Sequence, residues 1–392
     1  HTRDLPHFPT RRSAERGEDR MTASAAKLSM TPEEAATCGM VIALHAEAAP
    51  DRPAILSPLG DRTYAELNER SNQLVRALRS AGLKEGDAVA LLCANRPEFV
   101  EACIAVSRCG MRLTPINWHL TAEEIGYIVE NCEAKSFIAD ARFAEKAAEA
   151  STMTPHLIQK LAVAGEINGF TSYDDALDAE PAHNIEDPTA GTQMLYTSGT
   201  TGHPKGVYRK AAPPVSPLLV KLRETAAFDP TKDVALSTGP LYHAAPLALN
   251  LNFPLTSGVG VVLLDKWDGE ETLKLGASNN VTHTHVVPTM LHRILSLPDD
   301  ARNQYDVSSL RWVLHGAAPC PVHVKEDTIK WLGNVVYEYY AATEGGGIFV
   351  ESEEWLTKRG TVGRALEGVT VEVQDDAGVE IPAGEIGTIY FK

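Results

Sequence analysis

The stretch Tyr196–Val207 reads Y-T-S-G-T-T-G-H-P-K-G-V and combines four small hydroxyl side chains, three glycines and one lysine, Lys205. Glycine lets a backbone approach an anion without a Cβ in the way. Consecutive backbone N–H groups and Ser or Thr hydroxyls can then donate hydrogen bonds to phosphate oxygens, and a lysine adds a point charge. The stretch therefore predicts a phosphate-binding loop, with a polar surface loop as the alternative. It is not a Walker A loop, because Gly206 follows the lysine where Ser or Thr is required.

Further segments extend this loop into a longer pattern. They read D-R-P-A at 51–54, P-I-N at 115–117, P-L-Y-H-A-A-P at 240–246, V-V-P-T at 286–289, G-A-A-P at 316–319, E-Y-Y-A-A-T-E at 338–344 and T-V-G-R at 361–364. In this order they resemble the adenylate-forming superfamily, whose members are acyl-CoA synthetases, adenylation domains of peptide synthetases and luciferases. The resemblance extends from about residue 31 to the end of the chain.

The resemblance implies a reaction in two halves, with ATP, Mg²⁺ and CoA. A carboxylate attacks the α-phosphate of ATP to give an acyl-adenylate and pyrophosphate, and a thiol then takes the acyl group. By resemblance the phosphate loop holds the β- and γ-phosphates with Thr197, Ser198, Gly199, Thr200, Thr201, Gly202 and Lys205. Thr343 would contact the α-phosphate and Glu344 would hold Mg²⁺, a hard cation that prefers oxygen ligands. Out of context, Thr343 and Glu344 also fit a capped helix start.

The resemblance also implies which residues bind the adenine ring and the acid. The adenine site would consist of Gly316, Ala317, Ala318, Tyr340 and Ala341. Tyr340 would stack on the ring, with core packing as its plainer interpretation. His243 would lie beside the acyl carboxylate, and a satisfied core histidine is the alternative. Since that carboxylate is already ionised at pH 7, we expect His243 to orient the acid rather than act as a general base.

The chain departs from the family pattern at three places. Ala341 replaces the usual glycine, and His119 stands where many relatives carry arginine. The chain stops at Lys392, before the family's T-G-D segment, whose aspartate binds the ribose. The hinge, the mobile C-terminal domain and its lysine follow that segment in the family. The resemblance therefore implies that residues 1–392 bind an acyl-adenylate without completing CoA-ester synthesis.

The composition excludes some partners and compartments. A net charge of −16 argues against nucleic acid as the main partner. The six cysteines form no C-x-x-C pair and indicate reduced thiols in the cytoplasm. No secretory segment or membrane span is predicted, and residues 1–30 are interpreted as a disordered leader. The sequence leaves open whether the protein forms a homodimer.

Alternating helix and strand signals predict an α/β fold with two doubly wound, helix-covered sheets and a small C-terminal β lobe. Capping boxes at Thr63 and Thr121 predict helix starts, and Ala88–Leu92 reads as a buried parallel strand. The predicted divisions are residues 31–190, residues 191–345 with the phosphate loop, and residues 346–392.

The predicted function is an acyl-CoA synthetase-type ligase acting on a bulky apolar acid. Small side chains after His243 and in the segment 341–347 leave room for such an acid, although they also suit close backbone packing. The alternatives are an amino-acid or aryl-acid adenylating domain and a non-catalytic binder of acyl-adenylates. The segment 241–247 contains no acidic residue to hold a substrate ammonium, which disfavours an amino acid.

Overall fold

The computed structural model describes residues 28, 30–197, 204–208, 216–342 and 345–391. The strands are β1 (Pro53–Leu56), β2 (Arg62–Thr63), β3 (Ala88–Leu92), β4 (Arg112–Pro115), β5 (Ala134–Asp140), β6 (Gln159–Val163), β7 (Thr171–Ser172), β8 (Thr192–Thr197), β9 (Lys205–Tyr208), β10 (Val234–Ser237), β11 (Gly260–Leu263), β12 (His283–Val286), β13 (Trp312–His315), β14 (Val336–Ala342), β15 (Gly345–Glu351), β16 (Arg364–Ala365), β17 (Val371–Gln374) and β18 (Thr388–Phe391).

The helices are α1 (Pro32–Cys38), α2 (Val41–Ala48), α3 (Tyr64–Ser80), α4 (Pro97–Ser107), α5 (Ala122–Asn131), α6 (Ala144–Thr152), α7 (Tyr173–Asp178), α8 (Pro217–Ala226), α9 (Phe253–Thr256), α10 (Gly269–Ser278), α11 (Pro288–Leu295), α12 (Asp299–Asn303), α13 (Val322–Leu332) and α14 (Ser352–Thr357). A 3₁₀ turn covers Ala141–Phe143, and a π-helix covers Pro246–Asn252. None of these described helices is long and apolar enough to span a membrane.

Two large sheets organise the described chain. Seven strands pair in the order β7-β6-β5-β3-β4-β8-β9, and nine pair in the order β16-β15-β14-β13-β12-β10-β11-β1-β2. Both sheets are parallel at their centres. The nine-stranded sheet has antiparallel pairs at both edges, whereas the seven-stranded sheet has one only at β9. β17 and β18 form a separate antiparallel pair. The predicted α/β fold class is therefore confirmed.

Local signals explain where the central helices begin and end. Thr63 and Thr121 form the predicted capping boxes at the starts of α3 and α5. After α3, Gly82 adopts a φ of +99°, and the Leu83 N–H donates to the Leu78 carbonyl at 3.1 Å. Glycine suits this position because a Cβ is unfavourable at positive φ.

Helices α2, α3 and α4 share one hydrophobic core with strands of both sheets. Leu74 of α3 and Ile104 of α4 belong to the same buried cluster as Val89 of β3 and Val261 of β11. All five residues of β3 are buried, as expected for a parallel strand covered on both faces. This shared core holds the two sheets together.

The sheets do not follow the predicted divisions at residues 190 and 345, which stay predictions about domains. β1 and β2 join the nine-stranded sheet, whereas β8 and β9 join the seven-stranded one. β15 and β16 extend the nine-stranded sheet, and β17 and β18 lie apart from both. Periodicity identifies a strand but not its partner, so these pairings could not be read locally. The stem of the phosphate loop thus belongs to one sheet, and His243 follows β10 of the other.

Candidate active site

Loops at the carboxyl ends of the parallel strands carry His243 and the predicted adenine turn Gly316–Ala318. His243 lies six positions beyond the end of β10, Pro288 follows β12, and the turn Gly316–Ala318 follows β13. Carboxyl ends of parallel strands meet at one edge of a sheet, where α/β proteins bind their ligands. The fold therefore brings these distant segments to one place.

Asn95, which follows β3 of the seven-stranded sheet, forms hydrogen bonds with the segment that carries His243. Its side-chain Nδ2 donates to the carbonyls of Gly239 at 2.9 Å and Leu264 at 3.0 Å, and its Oδ1 accepts from the Leu241 N–H at 3.0 Å. Asn95 is buried, and both of its polar atoms are used. It therefore fixes the chain two residues before His243, although it was not predicted as a site residue.

A cavity of about 700 Å³, which we name the acyl cavity, opens between these loops. Its walls are Thr238, Gly239, Pro240, His243, Ala244, Ala245, Pro246, Ala248, Leu249, His285, Val286, Val287, Met290, Ala317, Tyr339 and Ala341. The predicted site residues His243, Ala317 and Ala341 thus meet at one cavity. Most of the wall is apolar, which suits the body of an organic acid.

His243 lies where the acyl cavity meets a second cavity of about 320 Å³. The second cavity is lined by Pro115, Asn117, Leu120, Ile128, Leu195, Tyr196, Thr197, Pro204, Tyr242, His243 and Ala244. The imidazole is exposed at the cavity surface, and its ring centroid lies 4.6 Å from that of Tyr242. Surrounding protein still removes enough water to lower the pKa of His243. A neutral imidazole can donate one hydrogen bond to a carboxylate, which fits an orienting role.

The stem of the phosphate loop is a pair of antiparallel strands. Thr197 at the end of β8 lies opposite Lys205 at the start of β9, and the Thr197 hydroxyl donates to the Lys205 carbonyl at 3.5 Å. The Lys205 side chain is exposed. The stem therefore presents a lysine beside the second cavity. Ser198, Gly199, Thr200, Thr201 and Gly202 lie outside the described residues, and their phosphate contacts stay predictions.

At the predicted adenine site, Tyr340 is exposed, whereas Tyr339 and Gly316 are tightly packed. Tyr340 is 39% exposed, and its ring centroid lies 6.1 Å from that of Phe391. Tyr339, its neighbour in β14, is buried against Gly316, where an added Cβ would lie 2.5 Å from the Tyr339 ring. Successive residues of a strand face opposite sides, so the two tyrosines serve different surfaces. Tyr340 is free to stack on a ligand, and its role stays a prediction.

The turn after β13 contains a strained alanine. Ala317 has a φ of +64°, a region that glycine occupies without cost but other residues adopt rarely. Ala317 and Ala318 are both exposed at the carboxyl edge. Strain of this kind is often retained at ligand sites, where the surrounding structure enforces it. The geometry therefore fits a turn whose backbone faces a ligand.

The predicted metal contact is not part of the described structure. Thr343 and Glu344 lie outside the described residues. Within the described part of the chain, no group of three or more His, Cys, Asp or Glu side chains is arranged to hold a metal ion. The assignment of Mg²⁺ to Glu344 therefore stays a prediction.

A buried polar network underlies the acyl cavity and was not predicted. Asn250, in the π-helix, lies with its Oδ1 2.9 Å from His285 Nδ1, and His285 Nε2 lies 3.2 Å from the Tyr339 hydroxyl. The Thr238 hydroxyl donates to the His285 carbonyl at 2.6 Å. The run T-H-T-H at 282–285 contains the available signal, since a polar residue inside a buried parallel strand needs hydrogen-bond partners.

A second buried group supports the turn at Gly316 from the opposite face of β14. Lys325 of α13 lies 2.5 Å from Glu338, and His315 lies 3.7 Å from the same carboxylate oxygen. Burial lowers the pKa of Lys325, and Glu338 opposes that shift. None of these three side chains lines the acyl cavity, and they act as structural support for β13 and β14.

Comparison with known proteins places the chain among ligases. A family model described as AMP-binding enzyme matches residues 42–392. The indoleacetate–CoA ligase of Aromatoleum aromaticum is 28% identical over 358 residues, which are 89% of this chain and 68% of that protein. The long-chain-fatty-acid–CoA ligase FadD13 of Mycobacterium tuberculosis is 29% identical over 376 residues, which are 90% of this chain and 70% of that protein.

A solved structure supports the same fold. The anthranilate CoA ligase AuaEII, in complex with anthranoyl-AMP, matches with a TM-score of 0.77 at 23% identity, over 90% of this chain and 69% of that chain. The present chain thus spans a little over two thirds of each of these proteins. The resemblance stated from the sequence and the predicted kind of enzyme are confirmed at the level of the family.

Proposed function

The chain belongs to the AMP-binding enzyme family, and we propose that it activates a carboxylic acid with ATP to an acyl-adenylate and transfers the acyl group to CoA. The observation that supports this proposal is the acyl cavity. It joins His243, the residue expected beside the carboxylate, to Ala317 of the turn expected to contact adenine. An acyl-adenylate needs adjoining acid and nucleotide sites of this kind.

We propose a bulky and largely apolar acid. The cavity volume of about 700 Å³ lies in the range of pockets for drug-sized ligands. Among the described residues that line it, none is Lys, Arg, Asp or Glu. An amino acid would leave its ammonium unpaired there, and a dicarboxylate would leave its second carboxylate unpaired. The relatives named for indoleacetate and for long-chain fatty acids bind acids that fit this description.

We assign the chemical roles as follows. Lys205 and the hydroxyls of the phosphate loop hold the triphosphate, and His243 orients the acid carboxylate toward it. Bound to Glu344, Mg²⁺ would neutralise phosphate charge. The protein's main contribution is to hold the carboxylate and the α-phosphate close together and aligned.

We propose the cytoplasm as the site of action. All six cysteines are free in the structure, and four of them are buried. Free thiols persist in reducing compartments, which favours the cytoplasm over secretion.

The test is pyrophosphate exchange by the intact protein with ATP, Mg²⁺ and a panel of acids, followed by a CoA-thioester assay. We expect exchange with bulky aromatic or long-chain acids and little with acetate or an amino acid. Calorimetry with a non-hydrolysable acyl-adenylate analogue is run beside it. Binding of the analogue without any exchange would replace the proposal with the binder alternative, and a preference for acetate would refute the predicted acid.

A further inference from the structure

We infer that Tyr339 selects acids whose body carries a hydrogen-bond donor, such as a hydroxyl or a ring N–H, over acids with an ether or a bare carbon there. This inference rests on the proposed function, because it assigns the acyl cavity to the acid. It goes beyond that function because it names a group on the acid and the residue that recognises it. The buried network of Asn250, His285 and Tyr339 fixes the proton on the Tyr339 hydroxyl.

The first step fixes the orientation of the Asn250 amide. Three oxygens surround its Nδ2: the His285 carbonyl at 3.0 Å, the Thr238 hydroxyl at 3.3 Å and the Leu236 carbonyl at 3.4 Å. Exchanging Nδ2 and Oδ1 would place an oxygen against two carbonyl oxygens, which cannot donate a hydrogen bond. The Asn250 Oδ1 must therefore face His285 Nδ1.

The second step fixes the tautomer of His285. Because Asn250 Oδ1 can only accept, His285 Nδ1 carries the proton across the 2.9 Å contact. Burial lowers the pKa of His285 to about 4, so the ring is neutral at pH 7. A neutral imidazole has one N–H, and His285 Nε2 is consequently an acceptor.

The third step fixes the Tyr339 hydroxyl. His285 Nε2 lies 3.2 Å from this oxygen and can only accept, so the phenol donates its single proton to the histidine. The phenol remains protonated, since burial raises the pKa of Tyr339 to about 12. The oxygen keeps its lone pairs, and Tyr339 lines the acyl cavity. Tyr339 therefore presents an acceptor to the acid and has no proton left to donate.

This acceptor discriminates between closely related acids. A ligand O–H or N–H can donate to the Tyr339 oxygen. A methoxy oxygen would instead place its lone pairs against those of the phenol, and an N-methyl group would leave the phenol oxygen without a donor. Sites built to hydrogen-bond a substrate group reject analogues that lack it. We expect a roughly ten- to hundredfold preference in kcat/KM for the donor-bearing acid.

The test uses two matched pairs of acids with the intact protein: indole-3-acetate against 1-methylindole-3-acetate, and hydroxyphenylpropanoates against their methoxy derivatives. Binding is measured by calorimetry and activation by pyrophosphate exchange. The donor-bearing acid of at least one pair should bind at least tenfold more tightly and react at least tenfold faster. Equal or better use of the methylated acids in both pairs, or binding of none of the four kinds of acid, would overturn the inference.

Variants locate the effect at one hydroxyl. Tyr339→Phe keeps the ring against Gly316 and should abolish the preference, while Tyr337→Phe on the same strand and the same face should retain it. A preference that survives in Tyr339→Phe would exclude this residue as its source. Donor-selective binding without pyrophosphate exchange would reject the proposed function and leave the inference standing.

A measurement on the unliganded protein checks the network itself. Nitrogen-15 NMR of the histidines distinguishes an Nδ1–H from an Nε2–H ring. His285 should be the neutral Nδ1–H tautomer at pH 7. An Nε2–H tautomer would reverse the direction of the Tyr339 hydrogen bond and overturn the inference whatever the enzyme assays show.

Discussion

The phosphate loop and the acyl cavity differ in how they are built and in how we expect each to hold its ligand. The loop is one continuous stretch, Tyr196–Val207, with the exposed Lys205 at its stem, and we expect its small residues to offer backbone N–H groups to phosphate. The acyl cavity is assembled from the ends of β10, β12, β13 and β14 and from the π-helix, and the His285 and Tyr339 side chains in its wall are buried and neutral.

The two regions differ in how much they depend on residues elsewhere in the chain. Charge and backbone dipoles act over the loop's own length, so the loop depends little on distant residues. The cavity depends on one hydrogen-bond chain from Asn250 through His285 to Tyr339, in which each proton position follows from the previous one. Changes in the loop should therefore weaken ATP use and spare the fold, whereas changes around the cavity should alter both stability and acid choice.

The largest expected effect is on the loop. Replacing Thr200 and Thr201 together by alanine should lower kcat/KM for ATP by roughly two to four orders of magnitude, because each hydrogen bond to a charged group is worth about 1.5–3 kcal/mol. Pyrophosphate exchange at varied ATP measures it, with the exposed Thr152→Ala as control. Unchanged ATP use in the double variant would remove the phosphate assignment.

Asn95→Ala should produce the next largest effect, this time on stability and activity together. It leaves the Gly239 and Leu264 carbonyls and the Leu241 N–H without their buried partner. An unsatisfied buried group costs about 1–3 kcal/mol, so we expect the free energy of unfolding to fall by about 2–4 kcal/mol. Urea unfolding measures the change.

The activity of Asn95→Ala separates positioning from a purely structural role. Loosening the segment before His243 should lower kcat for the acid by more than it changes KM for ATP. Asn334→Ala, at an exposed asparagine, is the matched control and should change neither. A stability loss with unchanged kcat would restrict Asn95 to holding the two sheets together.

Local chemistry explains which parts of the structure the sequence predicted. The capping boxes at Thr63 and Thr121 and the buried strand Ala88–Leu92 depend on residues close in the chain, and each was found where it was expected. The family motifs are equally local, and they located His243 and Ala317 at one cavity.

Long-range contacts account for what was missed. β1 pairs with β11 across about 200 residues of chain, and no pattern within either strand indicates that partner. Asn95 is one asparagine after a strand, and its role depends on where Gly239 and Leu264 lie. Tyr339 and Tyr340 are adjacent in sequence, yet pleating separates them onto two surfaces. Each of these roles arises from tertiary placement.

The pH dependence of stability tests the neutral histidine of the cavity. The pKa of His285 is lowered from 6.5 to about 4 by burial. The unfolded state therefore binds more protons between these values, and the free energy of unfolding falls as the pH drops through that window. We expect His285 to contribute on the order of 3 kcal/mol to that loss.

His285→Gln should make the stability of the protein less steeply dependent on pH between 6.5 and 4. The quantity to compare is the slope of the free energy of unfolding against pH. The absolute stability is not used, because the substitution also disturbs the hydrogen-bond network at every pH. His283 retains a similar contribution in this variant, since burial also lowers its pKa to about 4. Urea unfolding at stepped pH measures the slope, and the exposed His183→Gln serves as control. An unaltered slope would show that His285 is not held neutral by the fold.

The smallest expected effect is at the strained turn between the two regions. Ala317 has a φ of +64°, where a non-glycine residue costs about 1–2 kcal/mol, whereas glycine adds about 0.5–1 kcal/mol of unfolded-state entropy. Ala317→Gly should therefore raise the free energy of unfolding by about 0.5–1 kcal/mol. Ala318→Gly, without a positive φ, should lower it by a similar amount.

The acid preference of Ala317→Gly then shows whether the turn forms part of the cavity in solution. Because Ala317 lines the acyl cavity, losing its methyl group should improve kcat/KM for the bulkier acid of a pair. We expect a gain of roughly two- to tenfold, which is at or below the lower end of what one methylene-sized space is worth in an enclosed pocket. Ala318→Gly should leave that ratio unchanged, as Ala318 does not line the cavity wall. If Ala317→Gly stabilises the protein without changing its acid preference, the strained backbone affects only the stability of the turn. A shift in preference would link the backbone of the expected adenine site to the choice of acid.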